Sequence, residues 1–168
     1  MSDLASGRGR LRKIASALSI GGLQRHIFLC AQQSNPRCST YEEGKQAWLQ
    51  LKRAGKALDI ASAPPAWRGN LSRPVTPVEQ GSGTILRSKV DCLRICEQGP
   101  IAVVYPDGVW YHSVKGEVLD RIVEEHLVGG RTVDEYVFAV DSLDRGVANT
   151  VGPPIPSPGP SDFRSGSR

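Results

Sequence analysis

Four cysteines are the residues of this chain best suited to chemistry: Cys30, Cys38, Cys92 and Cys96. They form two pairs, C-x7-C and C-x3-C, with 53 residues between the pairs. Paired thiols make disulfides, carry out thiol redox chemistry or bind metal. Disulfides belong to oxidising compartments. The N-terminus has no 7–15-residue apolar stretch of the kind a signal peptide needs, so a cytoplasmic location with reduced thiols is expected. A dithiol redox motif uses C-x-x-C, and neither pair has that spacing. Zinc accepts four thiolates, but its pairs come as C-x2–4-C knuckles and C-x7-C is long for one. A [2Fe–2S] cluster takes two thiolates on each iron, so two separate loops with one pair each meet its need. The spacing is neither the plant-type C-x4-C-x2-C nor the bacterial C-x2-C-x2-C run, and no His pair stands in for cysteines as in a Rieske site. On spacing, an iron–sulfur cluster, a zinc site and a thiol oxidoreductase using Cys92 or Cys96 all stay open.

The pairs need elements that bring them together. His26-Ile27-Phe28-Leu29-Cys30 is a short apolar run that suits a buried strand. Thr40 followed by Glu43 has capping-box spacing, and the helix it opens carries Ala47, Trp48, Leu51, Ala54 and Leu58 on one face. Strands are expected at 84–90, 101–105 and 109–112, the last two joined by the turn residues Pro106-Asp107-Gly108. Val118, Leu119, Ile122, Val123 and Leu127 mark a second helix, with Glu117 and Arg121 as an i,i+4 pair and Gly129-Gly130 as its stop. The order is β-α-β-β-β-α. A strand that crosses through a helix to the next strand implies a parallel pair. The hairpin then adds an antiparallel edge. This is an α/β, thioredoxin-like sandwich with a mixed sheet of about four strands. Parallel neighbours would place Cys30 and Cys38 beside Cys92 and Cys96 at the carboxyl ends of the same two strands.

Several of these segments resemble a known family. Arg25-His26-Ile27-Phe28-Leu29-Cys30 with Pro36-Arg37-Cys38 is similar to the start of the thioredoxin-like [2Fe–2S] ferredoxins. Cys92-Leu93-Arg94-Ile95-Cys96-Glu97-Gln98-Gly99-Pro100 resembles their second ligand loop, and residues 101–111 (IAVVYPDGVWY) resemble the hairpin after it. The similarity runs on through 124–130 (EEHLVGG) to Glu135-Tyr136 and covers about 25–140, broken by a loop at 59–83. Some members have C-x12-C where this chain has C-x7-C; Cys38 takes that place because the chain has no fifth cysteine. The same cluster fold occurs in a small subunit of respiratory complex I and of related hydrogenases. The resemblance implies a [2Fe–2S] cluster on Cys30, Cys38, Cys92 and Cys96. It also implies one-electron transfer between redox partner proteins, with no substrate turned over. Members form homodimers, which would make Tyr105, Trp110 and Tyr111 a dimer or docking surface rather than plain core packing.

Four thiolates, two sulfides and two ferric ions leave an oxidised site at −2 and a reduced one at −3. The protein must stabilise that added charge. Arg37 and Arg94, beside or between the cysteines, are expected to raise the reduction potential. Gly99 suits a loop whose backbone comes close to the cluster. His26, His112 and His126 are scattered and read as packing or surface residues.

Composition sets the limits. At 168 residues the chain has room for one domain. Its longest apolar runs are about five residues against the ~20 of a membrane-spanning helix, so no span is expected. Residues 1–24 carry a net +3, 25–145 are neutral with 15 charges of each sign, and 146–168 carry +1. A nucleic-acid-binding domain shows its basic patch on the folded part, so nucleic acid is not an expected partner. The division that follows is a basic, mostly flexible extension at 1–24, the cysteine domain at 25–145, and a disordered tail at 146–168. Residues 152–168 hold five Pro, three Gly and four Ser, a composition that cannot bury enough apolar surface to order itself. Leu11, Ile14, Ala15 and Leu18 have helical spacing within the extension, and its Arg- and Ser-rich, acid-poor character also fits a transit peptide. No Gly-rich phosphate loop, HExxH or G-x-S-x-G motif points to a separate enzymatic site.

Overall fold

The computed structural model describes residues 2–60 and 85–143. The expected loop at 59–83 lies almost wholly outside them, and the expected tail at 146–168 lies wholly outside. The described chain runs α1 (Ser2–Ala17), β1 (Arg25–Cys30), α2 (Tyr41–Ala57), β2 (Ile85–Val90), β3 (Ala102–Tyr105), β4 (Val109–Tyr111), α3 (Glu117–Arg121) and β5 (Val137–Val140). Helix α3 continues as a π-helical stretch, Ile122–Val128, and a 3-10 turn, Asp134–Tyr136, leads into β5. Leu11, Ile14 and Ala15 lie on α1, and Leu18 falls just past its end.

The strand order is β2-β1-β3-β4-β5. β1 and β2 are parallel over six residues, Arg25 against Ile85 to Cys30 against Val90. β3 lies antiparallel to β1, β4 to β3 and β5 to β4. The sheet therefore has five strands where the sequence predicts about four. β4 is an inner strand, and β5 forms the antiparallel edge. Val137–Val140 escapes the sequence reading because an edge strand of four residues, half-buried at its first and exposed at the other three, has no period-two burial signal.

The core forms between one sheet face and the helices. Ile27 and Leu29 of β1, Ala102 and Val104 of β3, and Val109 and Tyr111 of β4 pack with Ala47 and Leu51 of α2 and with Leu119, Ile122, Val123 and Leu127. Alternation along each strand puts one set of side chains into this layer. Each fully buried aliphatic contributes roughly 1.5–3 kcal/mol. Helix α2 starts as predicted: the Thr40 hydroxyl accepts from Glu43 N–H while the Glu43 carboxylate accepts from Thr40 N–H. Leu58, expected on its apolar face, instead caps the helix and is exposed, because α2 ends at Ala57. Arg121 does not pair with Glu117 as expected. It bonds Glu125 at 2.9 Å and Glu135 at 3.0 Å, because the 3-10 turn brings a second carboxylate alongside the first.

Candidate metal centre

The parallel pairing of β1 and β2 decides where the cysteines meet. Cys30 is the last residue of β1 and stands opposite Val90, the last of β2. The ladder carries one residue further, with Ala31 N–H donating to Val90 O at 3.0 Å. Both strands then release a loop at the same end of the sheet, and each loop carries cysteines. Ser34 in the first loop donates to Asp91 in the second through its N–H at 2.6 Å and its hydroxyl at 3.0 Å. Gly99 N–H donates to Cys38 O at 2.9 Å. The two loops are thus tied together on both sides of the thiols.

The sulfurs come as two unlike pairs of free thiols. Cys30 is buried and Cys38 half-buried, and the Gln33 amide nitrogen lies 3.2 Å from one Sγ and 3.3 Å from the other. Cys92 and Cys96 are exposed, with their Sγ atoms 3.9 Å apart. Arg94 N–H donates to Cys92 Sγ at 3.2 Å. The second loop is tightly wound: Arg94, Cys96 and Gln98 alternate in the left-handed region, with φ of 65°, 55° and 47°. Gly99 ends it, joined to Pro100 by a cis bond. A Cβ on Gly99 would overlap Cys38 Sγ and stand 3.0 Å from Cys38 Cβ, so only glycine lets the second loop close on the first.

Two of the thiols are held back from ionising. Burial is the main cause that pushes the Cys30 thiol up, opposed by hydrogen bonds from Leu93 N–H and Gln33 and reinforced by Cys38 and Cys92. The hydrogen bond with Cys92 is the main cause that raises Cys96, with burial, the Cys92 charge and Cys38 adding to it and Arg37 opposing it. Charge on Cys38 and Cys92 thus disfavours the thiolate form of Cys30 and of Cys96. Four thiolates can coexist here when cations stand among them. Among the described residues no three His, Cys, Asp or Glu side chains converge on one ion position. Two loops that each carry one pair of thiols suit a donor set shared by two irons.

The structure thus brings all four predicted cysteines to one end of β1 and β2. Arg37 and Arg94 lie in the same loops, and Arg37 acts electrically on Cys96. The histidines are engaged elsewhere: His26 with Ser88, His112 with Ser113, and buried His126 with Tyr111. Sequence reasoning missed Gln33 and Asp91. Gln33 reads as a solvent-exposed loop residue because no spacing rule marks a side chain that turns inward, and exposed Asp91 is marked only by its bond to Ser34 in the other loop.

No protein-family model matches the chain. A curated relative, "Ferredoxin, 2Fe-2S" of Aquifex aeolicus (strain VF5), is 48% identical over an alignment 122 residues long that covers 68% of this chain and 89% of the relative. A "Ferredoxin, 2Fe-2S" of Clostridium pasteurianum is 44% identical over 52 residues, 31% of this chain and 51% of that protein. Among solved structures, a thioredoxin-like [2Fe–2S] ferredoxin from Aquifex aeolicus superposes with a TM-score of 0.52. The superposition covers 71% of this chain and 94% of that one, with 26% of residues identical when paired by position in space.

Proposed function

The chain belongs to the thioredoxin-like [2Fe–2S] ferredoxins, and from that premise we propose that Cys30 and Cys38 hold one iron of its cluster and Cys92 and Cys96 the other. It is an iron–sulfur electron carrier. The observation that carries the ligand assignment is the meeting of two thiol pairs at the shared end of β1 and β2, locked by Gly99 against Cys38. The cluster supplies a site that takes up and gives back one electron. The residues of the chain do the rest. The fold shields Cys30 from water, which favours the less charged state. Arg94 N–H and the Gln33 amide donate to sulfur, and Arg37 adds positive charge, all of which favour the reduced state. The balance of these effects sets the potential. The exposed pair, Cys92 and Cys96, is the edge from which an electron leaves to a partner protein, without a substrate turned over by this chain.

We also propose a cytoplasmic homodimer. Tyr111 belongs to the core. Phe28, Tyr105, Trp110 and Phe138 form edge-to-face pairs on their strands, and Phe138 is 42% exposed, an aromatic surface suited to a second copy. No helix among the described residues is long and apolar enough to cross a membrane.

The test is a visible spectrum of anaerobically purified protein before and after dithionite, with iron and sulfide assayed on the same sample. Bands that bleach on reduction, with about two irons and two sulfides per chain, are expected. A colourless protein that stays colourless after reconstitution and holds zinc would overturn the reading. Cys38→Ala should abolish the spectrum, and a normal spectrum in that variant would remove Cys38 from the ligand set.

A further inference from the structure

We propose that Gln33 is a positioning residue of the redox centre: its side-chain amide caps the two sulfurs of the buried pair and makes the reduced state easier to reach. The inference rests on the reading that the four cysteines hold the cluster. Gln33 is one of two buried polar side chains among the described residues, at 3% exposed. Its Nε2 donates to Cys30 Sγ at 3.2 Å and to Cys38 Sγ at 3.3 Å, one bond for each amide hydrogen. Its Oε1 is buried with no hydrogen-bond partner.

That combination is costly for a residue that only fills space. A buried carbonyl oxygen without a donor loses its hydration and gains nothing. An aliphatic side chain of the same length would fill the space without the penalty. The amide end must therefore contribute something that an apolar group cannot. Thiolate sulfurs bound to metal accept hydrogen bonds and donate none, so the NH2 end is the one that faces them. A hydrogen bond to an anionic acceptor strengthens as the acceptor becomes more negative. Adding one electron to the centre does this, so both bonds favour the reduced state over the oxidised one. Among the described residues no side-chain amide caps the other pair: Cys92 accepts from the backbone N–H of Arg94, and both thiols of that pair face solvent. Gln33 thus holds the buried side of the site and sets its share of the potential.

The experiment uses the full chain with Gln33→Met, a substitution that keeps the length and removes both donors and the unpaired oxygen. Iron, sulfide and the midpoint potential are measured on wild type and variant. The variant should hold two irons and two sulfides, as wild type does, while its reduction equilibrium becomes about tenfold less favourable, about 59 mV more negative for one electron. Its cluster-free form should melt no lower than cluster-free wild type, because the unpaired oxygen is gone. A fully loaded variant with an unchanged potential would overturn the proposal and leave the ferredoxin reading intact. A wild type without iron would sink the reading itself. Should the variant not retain the cluster, pulsed EPR of reduced wild type with 15N-labelled glutamine side-chain amides decides instead. A 15N coupling supports the contact, and its absence overturns it.

Discussion

Gly99 and Cys38 show how closely the two ligand loops depend on each other. A methyl group at position 99 meets the Cys38 side chain and, at 3.1 Å, its carbonyl oxygen, neither of which moves without shifting a proposed ligand. Gly99→Ala should therefore cost ~1–3 kcal/mol of stability and lower the iron content at the same time. Thermal melting of the cluster-free protein measures the first effect and an iron assay the second. Loss of stability with full iron content would mean that the second loop can re-seat without Cys38. Arg94 tests a different property. Its backbone N–H stays when the side chain is removed, so Arg94→Ala isolates the charge. One solvent-screened charge is worth under ~1 kcal/mol, so the midpoint potential should fall by on the order of 30 mV, half of the ~59 mV that a tenfold change represents. An unchanged potential would confine the role of Arg94 to its left-handed backbone and its bond to Cys92.

At the scale of elements, helix α2 is what holds Cys38. The Thr40 cap lies two residues beyond it, and buried Gly44 in the first turn lets the helix sit on the first ligand loop, where a Cβ would come within 3.1 Å of Gln32 N and 3.2 Å of Ala31 Cα. Thr40→Ala should cost ~1 kcal/mol in urea denaturation and also hasten cluster loss, because the cap and the ligand share a short segment. The cap also responds to acid. The hydrogen bond from Lys115 is the main cause that holds the Glu43 carboxyl down at about 2, with the Thr40 N–H and hydroxyl adding to it. A depressed carboxylate stabilises the fold above its unfolded value of 4.5, and that contribution is lost as pH falls from 4.5 towards 2. Glu43→Gln should flatten the acid limb of stability across that window. The capping box was legible from Thr40 and Glu43 alone because it is set by local spacing. The partner Lys115 was not, since 72 residues separate it from Glu43.

On the scale of the whole molecule, a partly buried polar chain joins the sheet to the π-helical stretch that follows α3. Tyr111 OH and His126 Nδ1 are 2.8 Å apart, His126 Nε2 lies 3.4 Å from Asp107, and Arg25 bonds Asp107 at 2.9 Å. Tyr111 OH also accepts from Val133 N–H at 3.3 Å. Burial is the main cause that lowers His126 below its usual 6.5, the charge of Asp107 opposing it. The unfolded chain thus binds a proton that the folded chain resists, so stability is full above about 6.5 and falls as pH drops through it. Burial pushes Tyr111 up to about 12, so its contribution is present below 10 and lost as pH rises from 10 to 12. Chemical denaturation across pH 5 to 8 should show the acid loss, and His126→Leu should reduce that slope while lowering overall stability by ~1–3 kcal/mol. A slope that survives the substitution would move the effect to His26, which burial also lowers. Association belongs to this scale too. Sedimentation should find two chains per particle, and Trp110→Lys should release the monomer; a wild-type monomer would remove the aromatic surface from the dimer.

What the sequence determined by itself was everything that local chemistry specifies. The identity of the four thiols, the Thr40–Glu43 cap, the turn at Pro106-Asp107-Gly108 and the parallel relation of β1 to β2 follow from side-chain type, short-range spacing and the helix that crosses between the two strands. Only the tertiary structure decided which donors face the sulfurs. Gln33 turns inward, Asp91 ties one loop to the other, and Gly99 meets Cys38 because strands distant in the chain end side by side. It also decided the edge strand β5, whose mostly exposed residues carry no burial pattern, and the pairing of Arg121, which depends on where a later turn brings Glu135. Contacts between distant residues have no period along the chain, so they become visible when the sheet has brought their partners together.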